Sequence, residues 1–322
     1  MGLLIQYTLV FASVLAVVAI GGMFSERSGV INLGLEGCMV MGALGGALVM
    51  SYISPSVPGF IVVPLTIIVS ISVGALYSML LAVAAIKFKA DQTITGTAMN
   101  ILAPALATAI VKAVTLKKDG KATPYLYYIN AHEFFIIKIG SFELNWFIIL
   151  MFIVVIVAYI LLYKTRFGLR IMSCGEHPQA AASNGIDVIK MRYTGVIISG
   201  ALAGLGGIAF INSANSSWPF DAGVVGFGFL ALAVMIFGKW KPINIFFGAL
   251  LFSLFRALGS TYTGLDFLKI LQINAIIYNM LPYIVCLVIL AISSKNSKAP
   301  KAEGIPYDKG MRWFVIVKYW LR

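Results

Sequence analysis

The chain has 322 residues, of which 60% are hydrophobic and 11% are charged, with a net charge of +12. Soluble domains carry about 25% charged residues, so this composition indicates an integral membrane protein and excludes an ordinary soluble enzyme or binding domain. A positive net charge is also typical of nucleic-acid binding, but the positions of the basic residues, given below, argue against that class.

Apolar segments of about 20 residues, each long enough to cross a bilayer, recur along the whole chain. We count nine, at about 3–22, 30–52, 60–86, 93–116, 146–163, 193–211, 223–238, 242–258 and 270–292. The first has no basic region ahead of it and no cleavage site, so we interpret it as a retained span. The fourth is interrupted by Pro104. The predicted fold is an all-α polytopic membrane protein, with residues 1–293 in the membrane domain and 294–322 in a cytosolic or interfacial tail.

The stretch 117–145 is polar and separates the fourth and fifth segments. Its short apolar run, 134–139, is too short to span a bilayer and is predicted to lie at the membrane interface or to re-enter. The predicted count is therefore nine helices, with ten as the alternative.

A polar island, 164–192, divides the fifth and sixth segments and holds five basic residues. Within it, Pro178, an alanine run and the pair Asn184-Gly185 predict one short helix of about two turns. A short helix on a basic loop between two spans suits docking of a soluble partner. The alternative is an ordinary solvated loop.

The basic residues predict the orientation of the chain. If the island is cytoplasmic and the spans alternate, the inner connections and the tail carry 17 Lys and Arg, and the outer connections carry five. This positive-inside bias predicts an outer N-terminus and a cytoplasmic C-terminus. Because topology accounts for the positive charge, nucleic acid is not an expected partner.

Polar residues inside the spans are candidates for a substrate path. Asn32 and Glu36 are four residues apart, which predicts that they share one helical face. Similar groups open the fourth segment, and others lie in the ninth: Gln92, Thr95, Asn100, Asn274 and Asn279. Such groups are costly in lipid and should face the protein interior or a watery cavity. Hydrogen bonding between helices is an equally good explanation for any one of them.

Small residues at a spacing of four predict close helix packing. Gly42 and Gly46 have this spacing, as do Gly200 and Gly204. Glycines so placed allow helix backbones to approach closely in lipid. We therefore expect a tightly packed bundle.

Sequence motifs for chemistry are absent. The chain has no Gly-x-x-x-x-Gly-Lys-Ser/Thr phosphate loop, no His-Glu-x-x-His pair and no Gly-x-Ser-x-Gly elbow. We therefore expect no catalytic residue, metal or cofactor on this chain. The three cysteines suggest no disulfide framework.

Several stretches together resemble the permease subunits of ABC importers, in the branch with ribose, simple-sugar, branched-chain amino acid and nucleoside permeases. The similar stretches, in chain order, are 28–37, 175–186, 199–207, 226–242 and 304–307. Residues 28–37 and 226–242 resemble the simple-sugar and nucleoside group in particular. The stretch 117–145 matches nothing shared by the family.

The resemblance implies a type II-like importer permease for nucleosides or related sugars. It assigns the island to coupling with an ATPase, through Gly175, Glu176, His177, Pro178, Ala180, Ala181 and Gly185. The implied partners are an ATPase that holds ATP and Mg²⁺, a second permease, and an extracytoplasmic binding protein or lipoprotein. The cytoplasmic membrane is the implied location, with lipid and a small-molecule substrate as the remaining contacts.

Two other classes remain open from the residues alone. A secondary transporter driven by an ion gradient would need coupling carboxylates at mid-depth. An intramembrane enzyme on lipid-linked sugars would need acid–base groups at one membrane face, for which Glu26 and Asp91 are the best pair.

Overall fold

The computed structural model describes residues 2–54, 56–128, 132–139, 142–212, 217–261, 280–285, 287–288, 291 and 299–310. Ten α-helices account for most of these residues. They are α1 (Gly2–Arg27), α2 (Leu35–Tyr52), α3 (Gly59–Ala82), α4 (Gln92–Asp119), α5 (Trp146–Lys164), α6 (Arg166–Glu176), α7 (Pro178–Ser183), α8 (Val188–Asn212), α9 (Phe227–Phe237) and α10 (Pro242–Thr261). The prediction of an all-α membrane protein is confirmed.

Seven of these helices are long and apolar enough to cross a membrane, namely α1 to α5, α8 and α10, with α3 extended by a π-helical turn, Val83–Lys87. The predicted ninth segment lies mostly outside the described residues, together with Asn274, Asn279 and the end of the tail. The count of nine therefore stays a prediction.

Helices α1, α2 and α8 form the centre of the bundle, and glycines set their spacing. A Cβ on Gly42 of α2 would overlap the backbone of Gly204 in α8, and a Cβ on Gly74 of α3 would overlap the same residue. A Cβ on Gly207 would overlap the carbonyl of Met39. The glycine spacing therefore predicted close helix contacts correctly.

Helices α3, α4 and α5 lie at the periphery and expose apolar faces. Only one face of α4 is buried, through residues that recur every three or four positions: Gln92, Gly96, Met99, Ala103, Ala107, Val111 and Thr115. The opposite face, with Ile94 and Ile101, is exposed. Such a surface faces lipid or another membrane subunit.

The second segment becomes helical later than predicted, at Leu35 and not at Val30. Gly29 has a φ of +94°, which starts a turn, and the chain stays non-helical to Gly34. Asn32 is therefore not on a helix, and the prediction that it shares a helical face with Glu36 is wrong. The Asn32 side chain accepts from the N–H of Gly34 at 3.0 Å, an alternative to helical bonding that asparagine favours.

The fourth segment is not interrupted at Pro104, because α4 is one continuous helix with that proline inside it. Membrane helices tolerate proline where neighbouring groups satisfy the freed backbone. Pro104 leaves the carbonyl of Asn100, four residues earlier, without its helical donor. The hydroxyl of Tyr77 in α3 donates to the adjacent carbonyl of Met99 at 2.7 Å and links α4 to α3 at this level.

The seventh segment forms a much shorter helix than its apolar length suggests. Gly223, Val225 and Gly226 all have positive φ values, so the helix begins only at Phe227. With 11 residues, α9 is about 16 Å long and cannot cross a hydrocarbon core of about 30 Å.

The stretch 117–145 contributes small sheets and no spanning helix among its described residues. β1 (Tyr125–Tyr127) pairs antiparallel with β4 (Ser217–Pro219), and β2 (Ile136–Ile139) pairs with β3 (Phe142–Asn145). Single 3₁₀ turns cover His132–Phe135 and Phe220–Ala222. The apolar run at 134–139 therefore belongs to a turn and a hairpin strand.

The connections between helices gather at two opposite ends of the bundle. At the first end, the α1–α2 connection contacts the polar island and residues 300–308, through Gly29 with Gly304 and Gly175 with Ala302. At the second end, the β1–β4 pair covers the ends of α2, α4 and α8, and Lys118 donates to the carbonyl of Ser51. This grouping agrees with the alternation of connections that the basic residues predicted.

Candidate functional site

The polar island folds into two helices, α6 and α7, at the first end of the bundle. The hydroxyl of Thr165 accepts from the N–H of Gly168 at 3.2 Å and caps the start of α6. Pro178 begins α7, and Asn184 with Gly185, whose φ is +78°, ends it. The predicted short helix is confirmed. Helix α6 had no separate sequence prediction, because its 11 residues read as a continuation of the charged loop.

The residues assigned to ATPase coupling divide into buried and exposed positions. Gly175 and Ala181 are buried: a Cβ on Gly175 would overlap the carbonyl of Arg27, and Ala181 packs with Cys174 and Val188. Pro178 is also buried beneath α7. The residues that reach the surface are Glu176, His177, Ala180 and Gly185, the first two of them partly.

A groove of about 430 Å³ lies between α6 and α7. Its lining is Leu169, Arg170, Ser173, Glu176, His177, Ala180, Ala181, Asn184 and Ile186. Leu169 of α6 is 63% exposed and lies at this groove. An apolar groove rimmed by charged residues is typical of a protein–protein contact site.

Short-range electrostatics keep the island's end in place. The backbone N–H of Lys190 donates to Asp187 at 3.0 Å and holds the pKa of that carboxyl below its usual value. Burial raises the pKa of the Cys174 thiol to about 11, so this thiol stays neutral at physiological pH. Cys174 is thus a packing residue beneath the groove.

Three of the predicted path residues converge on the non-helical stretch before α2. Asn32 donates from Nδ2 to the hydroxyl of Ser199 in α8 at 2.9 Å. Asn100 accepts from the N–H of Gly37 at 2.8 Å and donates to the carbonyl of Leu33 at 2.7 Å. The amide of Gln92 accepts from the N–H of Ile31 at 2.7 Å. These side chains satisfy backbone groups that α2 leaves unpaired inside the bundle.

Glu36 holds the broken start of α9. Its two carboxylate oxygens accept from the N–H of Gly226 at 2.7 Å and of Gly228 at 2.6 Å. A carboxylate at a helix N-terminus satisfies orphan donors and complements the helix dipole. Thr95 is separate from this group, since its hydroxyl bonds to the carbonyl of Asp91 in its own helix. Whether any of these residues lines a path stays a prediction.

Sequence reasoning missed several residues that hold these elements together. Arg192 is 1% exposed and donates to the carbonyl of Ile305 at 2.8 Å, although we counted it with the solvated island. Glu303 was not singled out, and yet it contacts Glu26 from the far end of the chain. Both contacts join segments more than 100 residues apart, so no local pattern could have revealed them.

Comparisons with known proteins agree with this architecture. The family described as branched-chain amino acid transport system / permease component matches residues 4–290. The chain is 38% identical to the guanosine ABC transporter permease protein NupQ of Bacillus subtilis, over 97% of this chain and 98% of that protein. It is 35% identical to the nucleoside ABC transporter permease protein NupC of Lactococcus lactis, over 95% and 97% respectively.

A third relative is the nucleoside ABC transporter permease protein NupB of Lactococcus lactis, 24% identical over 86% of this chain and 79% of that protein. No solved structure matches the chain significantly. The family match covers nearly all the described helices. The chain therefore belongs to the branched-chain amino acid transport system / permease component family of ABC transporter permeases.

Proposed function

We propose that this chain is one of two membrane subunits of an ABC importer that takes up nucleosides. The observation that carries this proposal is the similarity, along nearly the whole chain, to two permeases whose names specify guanosine and nucleosides. The wider resemblance to simple-sugar permeases makes a related sugar the second candidate substrate.

The second permease is expected to be a different chain. Two permeases of Lactococcus lactis, NupC and NupB, are both named for nucleoside transport, and this chain is more similar to NupC. The exposed apolar faces of α3, α4 and α5 supply surface for such a subunit. Substrate delivery falls to an extracytoplasmic binding protein, which this chain would meet at its second end.

The α6–α7 groove is the proposed docking site of an ATPase, which would hold ATP and Mg²⁺. Its support is the exposure of Leu169, the apolar lining and the charged rim. Helices α6 and α7 pack on α1 and α8, so a pull on the groove would tilt spans and alternate access to the substrate path. The substrate path would pass the non-helical stretch before α2, beside Asn32, Glu36, Gln92 and Asn100. Thr95 would lie near the opening of the path.

This assignment places the first end of the bundle in the cytoplasm and the N-terminus of α1 outside, with the tail inside. The test is a cysteine at the exposed Ser183, probed with a membrane-impermeant thiol reagent. Labelling only after the cells are opened is expected. Labelling of intact cells would overturn both the orientation and the ATPase docking site.

Uptake of radiolabelled guanosine, adenosine, cytidine, ribose and glucose tests the substrate. The chain should be expressed together with the ATPase, second permease and binding protein proposed here as its partners, in a host that lacks nucleoside uptake. ATP-dependent uptake of nucleosides, with competition by other nucleosides and none by sugars, is expected. Uptake of sugars alone would show that the substrate is a sugar and not a nucleoside, and it would leave the importer assignment intact.

Leu169→Glu tests the groove, with Leu169→Met as the matched control. A charge in the groove should lower uptake and co-purification of the ATPase at least tenfold without changing the melting temperature, because Leu169 is mostly exposed. The methionine variant should behave as wild type. Unchanged uptake by Leu169→Glu would place the ATPase elsewhere.

The two alternative classes receive less support from the geometry. The carboxylate of Glu36 is committed to two backbone donors, which leaves it poorly suited to ion coupling. Glu26 bonds to Trp240 and Asp91 caps α4 through the N–H of Ile94, so the two carboxyls proposed for an intramembrane enzyme serve separate structural contacts.

A further inference from the structure

Residues 300–308, which we call the strap, lie across the first end of the bundle and join elements far apart in sequence. The N–H of Ala302 donates to the carbonyl of Gly175 at 2.8 Å, and the N–H of Gly304 donates to that of Gly29 at 3.3 Å. Ala302 is 1% exposed. The strap thus connects the end of α6 to the α1–α2 connection.

Further contacts fix the rest of the strap. The guanidinium of Arg192 in α8 donates to the carbonyl of Ile305 at 2.8 Å. Tyr307 packs against the buried cluster of Cys174, Ala181 and Val188 beneath the groove. Lys89 bonds Asp308 at 2.7 Å between half-exposed side chains. The strap therefore contacts the coupling helices, α1, α8 and the α3–α4 connection together.

At the centre of these contacts, two carboxyl groups face each other. Glu303 of the strap lies within hydrogen-bonding reach of Glu26 in the last turn of α1. Glu26 is 4% exposed and accepts from the indole N–H of Trp240, while Oε2 of Glu303 is buried and lacks a hydrogen-bond partner among the described residues. Two carboxylates in contact and out of water repel each other unless a proton lies between them.

Two buried or half-buried arginines lie nearby. Arg27 donates to the carbonyl of Trp240 at 3.0 Å. Arg192 donates from Nη1 to the carbonyl of Ile305, while its Nε and Nη2 have no hydrogen-bond partner among the described residues, and the titratable groups that act on it are Cys174 and Tyr307. Lys89 pairs with Asp308 at the outer edge of the strap. The thiol of Cys174 is neutral, and His177 lies at the junction of α6 and α7. None of the described ion pairs neutralises Glu26 or Glu303.

We propose that the strap is a proton-sensitive latch, which docks on α1 and α6 when Glu26 and Glu303 share one proton and loosens when that proton leaves to solvent. A docked strap makes the coupling helices and the α1–α2 connection move as one body. This consequence for coupling rests on the proposed function, whereas docking itself does not.

The direction of the pH dependence follows from burial. Burial raises the pKa of Glu303 to about 7 in the docked state, above the ordinary value of about 4.3 that an undocked strap would restore. Because the pKa of Glu303 is higher in the docked strap, docking is strongest at pH values below the pKa of the undocked strap. Docking is lost as the pH rises through the pKa of the docked strap. Docking should therefore weaken by up to about tenfold per pH unit up to about pH 7, and change little above it.

Hydrogen exchange on the assembled transporter tests the latch. Protection of the Ala302 and Gly304 amides, corrected for intrinsic exchange, is measured between pH 5.5 and 7.5 in lipid nanodiscs. Wild type should lose protection by roughly tenfold or more as pH rises to about 7. Glu303→Gln should be nearly independent of pH, because a glutamine amide donates to the Glu26 carboxylate without a titrating proton.

Asp308→Asn is the matched control, a neutralised carboxyl in the same strap. Lys89 holds the pKa of Asp308 below its usual value, so this carboxyl stays ionised throughout the range. The variant should lower protection equally at every pH and keep the wild-type slope. Glu26→Gln serves as a second variant if Glu303→Gln folds poorly. His177→Gln tests whether the nearby histidine, and not the carboxyl pair, causes the pH dependence.

Three results would overturn the latch: no slope in wild type, an unchanged slope in both Glu303→Gln and Glu26→Gln, or loss of the slope in His177→Gln. Because the measurement needs no substrate, failure of the nucleoside assignment would leave it unaffected.

Discussion

Two helices of this permease, α5 at the periphery and α2 at the centre, differ in burial in the opposite sense to their apolar character. Helix α5 is the most apolar of the seven long helices and α2 the least, yet 28% of the apolar part of α5 is buried against 72% of that of α2. In a membrane the apolar side chains can face lipid, while small and polar groups must find protein. Glycine and hydrogen bonding, and not hydrophobicity, therefore decide which helices form the centre.

The largest expected effect comes from disrupting the glycine packing at the centre of the bundle. Gly204→Leu places a side chain into the α3 backbone at Ser70 and Gly74, so we expect a loss of roughly 3 kcal/mol or more, or failure to fold. Ala105→Leu, on the exposed face of α4, is the matched control and should be neutral. The measurement is thermal unfolding in detergent, and equal melting temperatures for the two variants would refute this account of the core.

The second-largest expected effect concerns Glu36 of α2, which accepts hydrogen bonds from Gly226 and Gly228 at the start of α9. Glu36→Gln keeps the size but removes the charge and one acceptor, leaving a donor at Gly226 or Gly228 poorly satisfied. We expect a loss of about 2 kcal/mol in stability and faster exchange of the α9 amides. Glu176→Gln, the same change on the surface of α6, should leave stability unchanged. Equal effects of the two changes would contradict the role of Glu36.

A smaller effect concerns the hydrogen bonds that join the peripheral helix α4 to α2. Asn100→Ala removes two hydrogen bonds, one to Leu33 before α2 and one to Gly37 in its first turn, and should cost roughly 1–2 kcal/mol. Thr97→Ala, an exposed change in the same helix, should be neutral because its hydroxyl bonds only to the carbonyl of Thr93. Equal melting temperatures for the two variants would show that α4 does not stabilise the start of α2.

The smallest effect lies at the surface. Lys89→Gln removes the ion pair with Asp308, whose side chains are about half exposed, and should lower strap protection less than about fivefold. The pKa of Asp308 is lowered by the pair, so the ion pair is fully present at pH values above the ordinary pKa of an aspartate. It is lost only as the pH falls through the lowered pKa. The effect should therefore be constant from pH 5.5 to 7.5 and vanish at high salt. A change as large as that of Glu36→Gln would show that surface charge matters more here than burial.

The short helix of the polar island was predicted correctly because its signals are local. Pro178 and the pair Asn184-Gly185 act within one turn of the helix they begin and end. The start of α2 was predicted wrongly because Asn32 and the glycines around it have partners in α4 and α8. Apolar length likewise overestimated α9, whose start depends on Glu36, 190 residues away.

The sequence by itself determined that this chain enters the membrane, which segments are apolar enough to cross it, where the short helix of the polar island lies and which glycines bring helices together. These properties depend on composition and on spacing within a few turns. Only the tertiary structure decided that α2 and α9 begin as broken helices, that Glu36 serves as a cap and that the strap joins Glu303 to Glu26. Such contacts arise because buried polar groups bond with whichever groups the packed helices bring near, and no local sequence pattern encodes those partners.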